Sequence, residues 1–231
     1  MKRGFALYTG GKDSHYAIYK ALEEDILVDL LVIVKPVRSD SWMFHTVNID
    51  LAVKHAELMG LNYLLIEVSG VKEKEVDELK RKLSRVRELS DYEVVVSGAV
   101  GSTYQKERVD VLAEELHMRH VTPLWGFPPS KLIVEEASNL SFVITAIQAY
   151  GLRMDWLGNV INASNVHAFL KDVEEASINP VGEGGEFETF VLSSPLFKRG
   201  LLYVRKAEMV TYPNFGVGYY LIRDLGTSTS S

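Results

Sequence analysis

A parallel, doubly wound α/β domain followed by a smaller α+β domain is the architecture that this sequence predicts. Three observations carry the expectation. Short apolar runs alternate with amphipathic, helix-spaced segments from Phe5 to about Leu124. The first run enters two consecutive glycines, Gly10 and Gly11, and leaves straight into a helical pattern, which reads as strand, tight loop, helix. Two prolines and a glycine in Trp125-Gly-Phe-Pro128-Pro129 then interrupt the alternation and mark a linker. The expected division is residues 1–127, residues 128–225 and a flexible tail over 226–231.

Taken in order, Phe5-Ala-Leu-Tyr is the end of a first strand, and His15 through Leu22 continues as a helix. Leu27-Val-Asp-Leu-Leu-Val-Ile-Val34 is nearly continuous in apolar character, as suits a strand covered on both faces, and Pro36 ends it. The next loop carries Ser41-Trp-Met43-Phe-His45, an aromatic and methionine cluster with two readings: a loop packed back on the core, or a wall for a purine ring. Asn48 through Gly60 reads as a helix capped by Asn48 and stopped by Gly60, with Leu51, Ala52, His55, Leu58 and Met59 on one side. Asn62 to Glu67 is a third strand. From Val71 to Leu89, Val76, Leu79, Leu83 and Val86 fall at helical spacing among charges of both signs, a solvated face and not a nucleic-acid patch. Tyr92 to Ser97 is a fourth strand that runs into Gly98-Ala99-Val-Gly-Ser102, and a helix follows from near Tyr104 to His117. In the second half, residues 130–137 and 166–176 read as helices, and 142–147, 201–211 and 217–222 as strands.

The loop Thr9-Gly10-Gly11-Lys12-Asp13-Ser14 has the composition of a phosphate cradle. Glycines let the backbone turn sharply and bring its N–H groups close to an anion. Lys12 adds a mobile positive charge. Asp13 and Ser14 stand at a helix start, where orphan N–H groups favour negative ligands; either caps the helix or offers oxygen to a hard cation such as magnesium. The spacing is neither that of the Walker loop nor Gly-x-Gly-x-x-Gly. A second informative stretch is Gly182-Glu183-Gly184-Gly185-Glu186-Phe187-Glu188-Thr189, three carboxylates among glycines leading into an apolar strand. It suits cation binding, capture of an amine, or proton transfer; a solvated acidic turn is the competing reading.

Composition excludes several classes. With 231 residues and 47% hydrophobic content, the chain has ample material for a buried core. No apolar run approaches the roughly 20 residues that span a bilayer, and Met1-Lys-Arg-Gly leads into a strand instead of a cleavable signal, so a cytoplasmic protein without membrane contact is expected. A net charge of -6 argues against non-specific nucleic-acid binding. With no cysteine, a Cys nucleophile, a thiolate zinc site and a redox pair are all ruled out within this chain. Ion-rich helices with only Gln105 and Gln148 for glutamine resemble a heat-adapted composition. The six histidines show no zinc or metalloprotease spacing, and apart from His45 they read as structural or solvent-facing.

Thr9-Gly10-Gly11-Lys12-Asp13-Ser14 resembles the Ser-Gly-Gly-Lys-Asp-Ser loop of the N-type ATP pyrophosphatases, with Thr9 keeping the first hydroxyl. Together with Met43-Phe-His45, Ser97-Gly98-Ala99, Tyr104-Gln-Lys-Glu-Arg108, Pro123-Leu-Trp125 and Gly182 to Thr189, in that order along nearly the whole chain, it resembles the diphthine-ammonia ligase family. The resemblance implies an ATP-binding domain of the adenine nucleotide alpha hydrolase type and a C-terminal domain that helps receive substrate. It implies that the carboxylate of diphthine on translation elongation factor 2 becomes the amide of diphthamide, with ammonia as nitrogen donor and ATP cleaved to AMP and pyrophosphate. By position, Thr9, Gly10, Gly11, Lys12, Asp13, Ser14, Met43, His45, Ser97, Gly98, Ala99, Tyr104 and Arg108 fall on the nucleotide side; read from the chemistry of the loop itself, Asp13 is the contact expected for Mg2+. Gly184, Gly185, Glu186, Glu188 and Thr189 fall on the substrate side. Lys12, Asp13, Glu183, Glu186 and Glu188 are the candidate catalytic groups.

The chemistry agrees with that implication. A carboxylate does not react with ammonia at neutral pH because oxide would have to leave; adenylation supplies a better leaving group. Without cysteine, this chain lacks the usual nucleophile for releasing ammonia from glutamine, which leaves free ammonia or a separate donor subunit. Two rivals are an RNA-modifying ATP pyrophosphatase and a non-enzymatic adenine-nucleotide-binding protein. Oligomeric state is left open, a homo-oligomer included.

Overall fold

The computed structural model describes residues 1–37, 47–69, 74–89 and 91–228. The chain divides into two compact units: Met1–Thr9 with Asp13–Trp125, and Gly10–Lys12 with Gly126–Ser231. Met43 and His45 lie outside the described residues.

The first unit is built from β1 (Lys2–Tyr8), α1 (Lys12–Glu23, of which Lys12 groups with the second unit), β2 (Ile26–Pro36), α2 (Val53–Met59), β3 (Asn62–Val68), α3 (Lys74–Leu89), β4 (Val94–Val96), α4 (Thr103–Glu115) and β5 (Arg119–Val121). Its sheet runs β3-β2-β1-β4-β5 with every pair parallel. The continuous apolar character of β2 follows from burial on both faces. Leu30, Val32 and Val34 join Phe5, Val95, Leu79, Leu83, Val109 and Leu112 in one core cluster, while Leu31 and Ile33, pointing the other way, are equally buried. Strand order reverses between β1 and β4, and in open sheets of this kind a ligand sits beyond the carboxyl ends at that reversal. Thr9 follows β1 there, and Ser97 follows β4.

Local readings differ in two places. The helix expected from Asn48 is broken into a 3-10 turn, Ile49–Ala52, and then α2; Asn48 is left-handed (φ 58°) and its side chain makes no cap hydrogen bond. Gly60, at φ 70°, does end α2. The three-residue β5 lies just past the expected helix, which stops at Glu115 with His117 left-handed at φ 54°.

The second unit is α+β: α5 (Pro129–Asn139), β6 (Ser141–Gln148), β7 (Val160–Ile161), α6 (Val166–Glu175), β8 (Phe187–Ser193), β9 (Leu201–Tyr212) and β10 (Val217–Ser228). Its sheet is antiparallel, and β6 is its centre, paired with β7, β8 and β10. Residues Phe142, Val143, Ile144, Ala146 and Ile147 of β6 are buried, and Phe169 packs edge to face on both Trp156 and Phe187. Strand β10 pairs with β9 as far as Ser228, so residues 226–228 of the expected tail belong to the sheet. Among the described residues no helix is long and apolar enough to cross a membrane.

Candidate active site

In the first unit the two ends of the loop read as a phosphate cradle are tied by a serine hydroxyl. The Thr9 N–H donates to Ser14 Oγ at 3.2 Å, and Thr9 Oγ1 lies 3.0 Å from the same oxygen. Thr9 thus makes use of the hydroxyl that its replacement of serine preserves. Between them Gly10 stands at φ 82°, a conformation that glycine adopts without strain. Asp13 lies in the first turn of α1. The loop after β4 comes against this turn backbone to backbone. A Cβ on Gly98 would fall 2.6 Å from Ser14 N and 2.7 Å from the Asp13 carbonyl carbon, so only glycine fits. Ser97 and Ala99 on either side are buried. One turn into α4, the Arg108 guanidinium stacks 3.4 Å from the centre of the Tyr104 ring and donates to the Tyr104 carbonyl.

Behind the loop, Tyr8 and His15 are the residues that immediately precede Thr9 and follow Ser14. The Tyr8 hydroxyl contacts His15 Nδ1 at 2.7 Å and His55 Nδ1 at 2.6 Å, and all three side chains are buried. A single hydroxyl hydrogen serves one imidazole, so the other must donate to the tyrosine oxygen; the two histidines are opposite tautomers. Burial, and then the neighbouring His55, holds His15 well below the usual histidine range.

In the second unit Lys12 is fully buried, where the sequence suggested a mobile charge. Its ammonium donates to the Val181 carbonyl at 2.9 Å and lies 3.3 Å from Glu136 Oε2, with the Phe187 ring 5.9 Å away. Contact between this ammonium and a phosphate therefore requires the side chain to rearrange. The acidic segment turns on Gly182 and Gly185, at φ 72° and 84°, closed by a hydrogen bond from Gly185 N–H to the Gly182 carbonyl. Glu183, Glu186 and Glu188 are half-buried, not the fully solvated turn that was the competing reading. Glu186 is the notable one: its Oε2 is buried with no hydrogen-bond partner among the described residues, and a Cβ on Gly184 would fall 2.8 Å from its Oε1. A buried carboxylate oxygen lacking a donor is poised for one from a ligand.

Two hydrogen bonds join the acidic segment to the glycine-lysine loop. Thr189 Oγ1 accepts the Lys12 N–H at 3.1 Å, and the Val191 N–H donates to the Gly10 carbonyl at 3.0 Å. Gly10, Gly11 and Lys12 accordingly group with the second unit.

Three functional candidates escaped the sequence reading. Glu136 was legible: it falls on the apolar face of α5 with Leu132, Ile133 and Ala137, and a carboxylate at core spacing needs a buried partner. His120 and Asp110 carried no comparable signal. Ser97 Oγ lies 2.8 Å from His120 Nε2, and His120 Nδ1 lies 2.7 Å from Asp110 Oδ1; Lys106 Nζ holds Asp110 Oδ2 at 2.6 Å. Burial lowers the His120 imidazole below its ordinary value against the opposing pull of Asp110. Burial also works against Asp110, yet Lys106 and His120 together hold its carboxyl below the ordinary value.

The first unit is a doubly wound parallel sheet of the kind that binds ligands where strand order reverses, and the second is an antiparallel α+β unit whose β8 carries Glu188 and Thr189. Residues 1–120 match the diphthamide synthase N-terminal domain and residues 128–226 the diphthamide synthase C-terminal domain. The diphthine-ammonia ligase of Rattus norvegicus is 31% identical over 217 residues, spanning 85% of this chain and 81% of that one. Those of Bos taurus and Homo sapiens are 29% and 28% identical, each spanning 90% of this chain and 84% of theirs. A solved structure, that of a predicted subunit of tRNA methyltransferase from Methanocaldococcus jannaschii, covers 84% of this chain and 98% of its own at 15% identity with a TM-score of 0.47, too slight a likeness to bear on function. The chain belongs to the diphthamide synthase family, and by that membership it is an ATP-dependent ligase.

Proposed function

We propose that this protein amidates the carboxylate of diphthine on translation elongation factor 2, with ammonia as nitrogen donor, through an acyl-adenylate. The observation that supports this most is the pair of hydrogen bonds from β8 to Gly10 and Lys12, which ties the acidic segment to the loop read as the phosphate cradle. A loop that grips the triphosphate and a segment that receives the acid must act on one phosphorus atom, and a direct tie between them serves that need.

In the proposed sequence a diphthine carboxylate oxygen attacks the α-phosphorus of ATP, the bond to the β-phosphate oxygen breaks, and pyrophosphate leaves. Ammonia then attacks the acyl carbon, the bond to the AMP oxygen breaks, and the surplus proton passes to a base. The Thr9 to Ser14 loop holds the phosphates with backbone N–H groups, and Gly98 lets the β4 loop close on its first helical turn. Tyr104, Arg108, Ser97 and Ala99 complete the nucleotide side, and Glu183, Glu186, Glu188 and Thr189 the side of the acid and the amine. Glu186, with its unsatisfied buried oxygen, is the acceptor for the ammonium proton or for the amine itself.

Magnesium fits the residues present. Among the described residues no group of three or more His, Asp or Glu side chains is gathered as a cage, but Mg2+ at a nucleotide takes one or two carboxylates and otherwise phosphate oxygens and water. Asp13, in the first turn of α1, is the carboxylate that would hold it. Bound there, such an ion would supply positive charge against the phosphates.

The test is to incubate the protein with ATP, magnesium, ammonium and diphthine-bearing elongation factor 2, and to weigh the factor intact. Exchange of a carboxyl hydroxyl for an amino group is the expected change. An unaltered factor under conditions where ATP binds refutes the proposal.

A further inference from the structure

We propose that His120 and Asp110 are positioning residues that fix the Ser97 hydroxyl as a hydrogen-bond acceptor toward the nucleotide, so that the site selects a nucleotide presenting a donor at that point. The inference rests on the reading of Ser97 as part of the nucleotide side.

The argument follows the hydrogens. Asp110 is held ionised by Lys106, whose ammonium lies 2.6 Å from Oδ2 and itself lies over the Trp125 ring. An ionised carboxylate only accepts, so the short contact from Asp110 Oδ1 to His120 Nδ1 requires the hydrogen on Nδ1. A neutral imidazole with its hydrogen on Nδ1 has an acceptor at Nε2. The 2.8 Å contact there is then Ser97 O–H donating to His120. With its one hydrogen committed, Ser97 Oγ has only lone pairs left for a ligand. The residue order is that of a hydrolase triad. Here the hydroxyl stands at the carboxyl end of β4 where strand order reverses, with Gly98 packed on the first turn of α1, and the polarity is read as recognition instead of attack. The charged groups acting on His120 are Asp110 and Lys106, both from α4.

The group on an adenine nucleotide that donates without being able to accept is the exocyclic amine; a ribose hydroxyl does both and would adapt to either orientation of Ser97. Replacing Asp110 with Asn inverts the relay. Lys106 has only donors to offer, so it keeps the amide oxygen, and the amide nitrogen turns toward His120 Nδ1. The imidazole Nδ1 must then accept, the ring hydrogen moves to Nε2, and Ser97 accepts from His120 while its own hydrogen points at the ligand. Donor meets donor.

Two measurements test this. In 15N-labelled protein, the long-range 15N–1H pattern of His120, assigned by its loss in His120→Gln, is expected to show the Nδ1–H tautomer in the unaltered chain and the Nε2–H tautomer in Asp110→Asn. Nucleotide binding is then compared for ATP, ITP, 2′-deoxy-ATP and 3′-deoxy-ATP. ATP binding should weaken by about tenfold or more in Asp110→Asn. ITP, which presents a carbonyl oxygen where ATP has the amine, should bind the unaltered protein less well than ATP but bind Asp110→Asn no less well than ATP, while the two deoxy analogues should show no such reversal. An Nε2–H tautomer in the unaltered protein, or equal discrimination by both proteins against every analogue, overturns the inference. The first of these needs no variant, so a failure of Asp110→Asn to fold does not shield it. Unaltered protein that binds no ATP overturns the functional reading and this inference with it; intact binding and amidation with the wrong tautomer overturn this inference alone.

Discussion

Replacing Glu136 with Gln removes a carboxylate that lies against the buried Lys12 ammonium, and the consequence can be sized. Both side chains are fully buried, with Nζ 3.3 Å from Oε2. At an effective dielectric constant of about 20, Coulomb's law gives 332/(20 × 3.3), or about 5 kcal/mol, for that attraction. Glutamine keeps a dipole where the charge was, and the Val181 carbonyl at 2.9 Å still accepts from Nζ, so part of the loss is recovered. Breaking a buried pair on one side typically destabilises by about 3–5 kcal/mol, and the lower end, about 3 kcal/mol, is the expectation here. The assay is chemical denaturation followed by fluorescence, since Trp156 packs on Phe169 within the second unit. Removing both charges with Lys12→Met and Glu136→Leu should restore most of the loss, because two apolar groups of similar volume leave no buried charge. A Glu136→Gln protein within about 0.5 kcal/mol of the unaltered one refutes the idea that this carboxylate holds the loop lysine.

Three further outcomes follow from the geometry. Gly98→Ala forces the β4 loop off the first turn of α1, because its Cβ would fall 2.6 Å from Ser14 N; a loss of about 1–3 kcal/mol and at least roughly tenfold weaker ATP binding are expected, and normal melting with normal affinity contradicts the packing. Thr189→Val keeps the shape but removes the acceptor for the Lys12 N–H, which should cost about 1–3 kcal/mol and reduce kcat/KM; unchanged kinetics would show that the tie between β8 and the loop has no part in turnover. Stability should fall with acidification from about pH 6.5, by up to about 1.4 kcal/mol per pH unit for each histidine concerned, because His15 and His120 are held below their ordinary value in the fold and the unfolded chain takes up protons that the folded one refuses. Urea unfolding at pH 7.5 and pH 5.5 measures it, and equal stability at the two values contradicts burial of neutral imidazoles.

What the sequence makes legible is what local pattern encodes. The apolar run of β2, the glycines after β1 and the proline break before α5 each lie within a few residues of the feature they specify, and all three appear in the structure. Short elements escape: β5 is three residues, two of them Arg119 and His120, and neither length nor composition marks it as a strand. The break of the 48–60 helix into a 3-10 turn escapes for a related reason, since Ile49, Ala52, Ala56 and Met59 have the same apolar spacing in either form. The site is legible as residue types but not as partnerships. Lys12 and Thr189 are 177 positions apart, and no local rule pairs them. The Ser97 to Asp110 relay depends on β5 lying beside β4, so it became visible only with the register of that parallel pair.

Acid activation at the α-phosphorus is the step on which the account turns, and the phosphorus products report on it directly. Phosphorus NMR of a single turnover with ATP, magnesium, ammonium and diphthine-bearing elongation factor 2 should show AMP and pyrophosphate formed in equal amounts with each other and with the new amide. ADP and orthophosphate in their place, or amide formed while ATP is untouched, would contradict it.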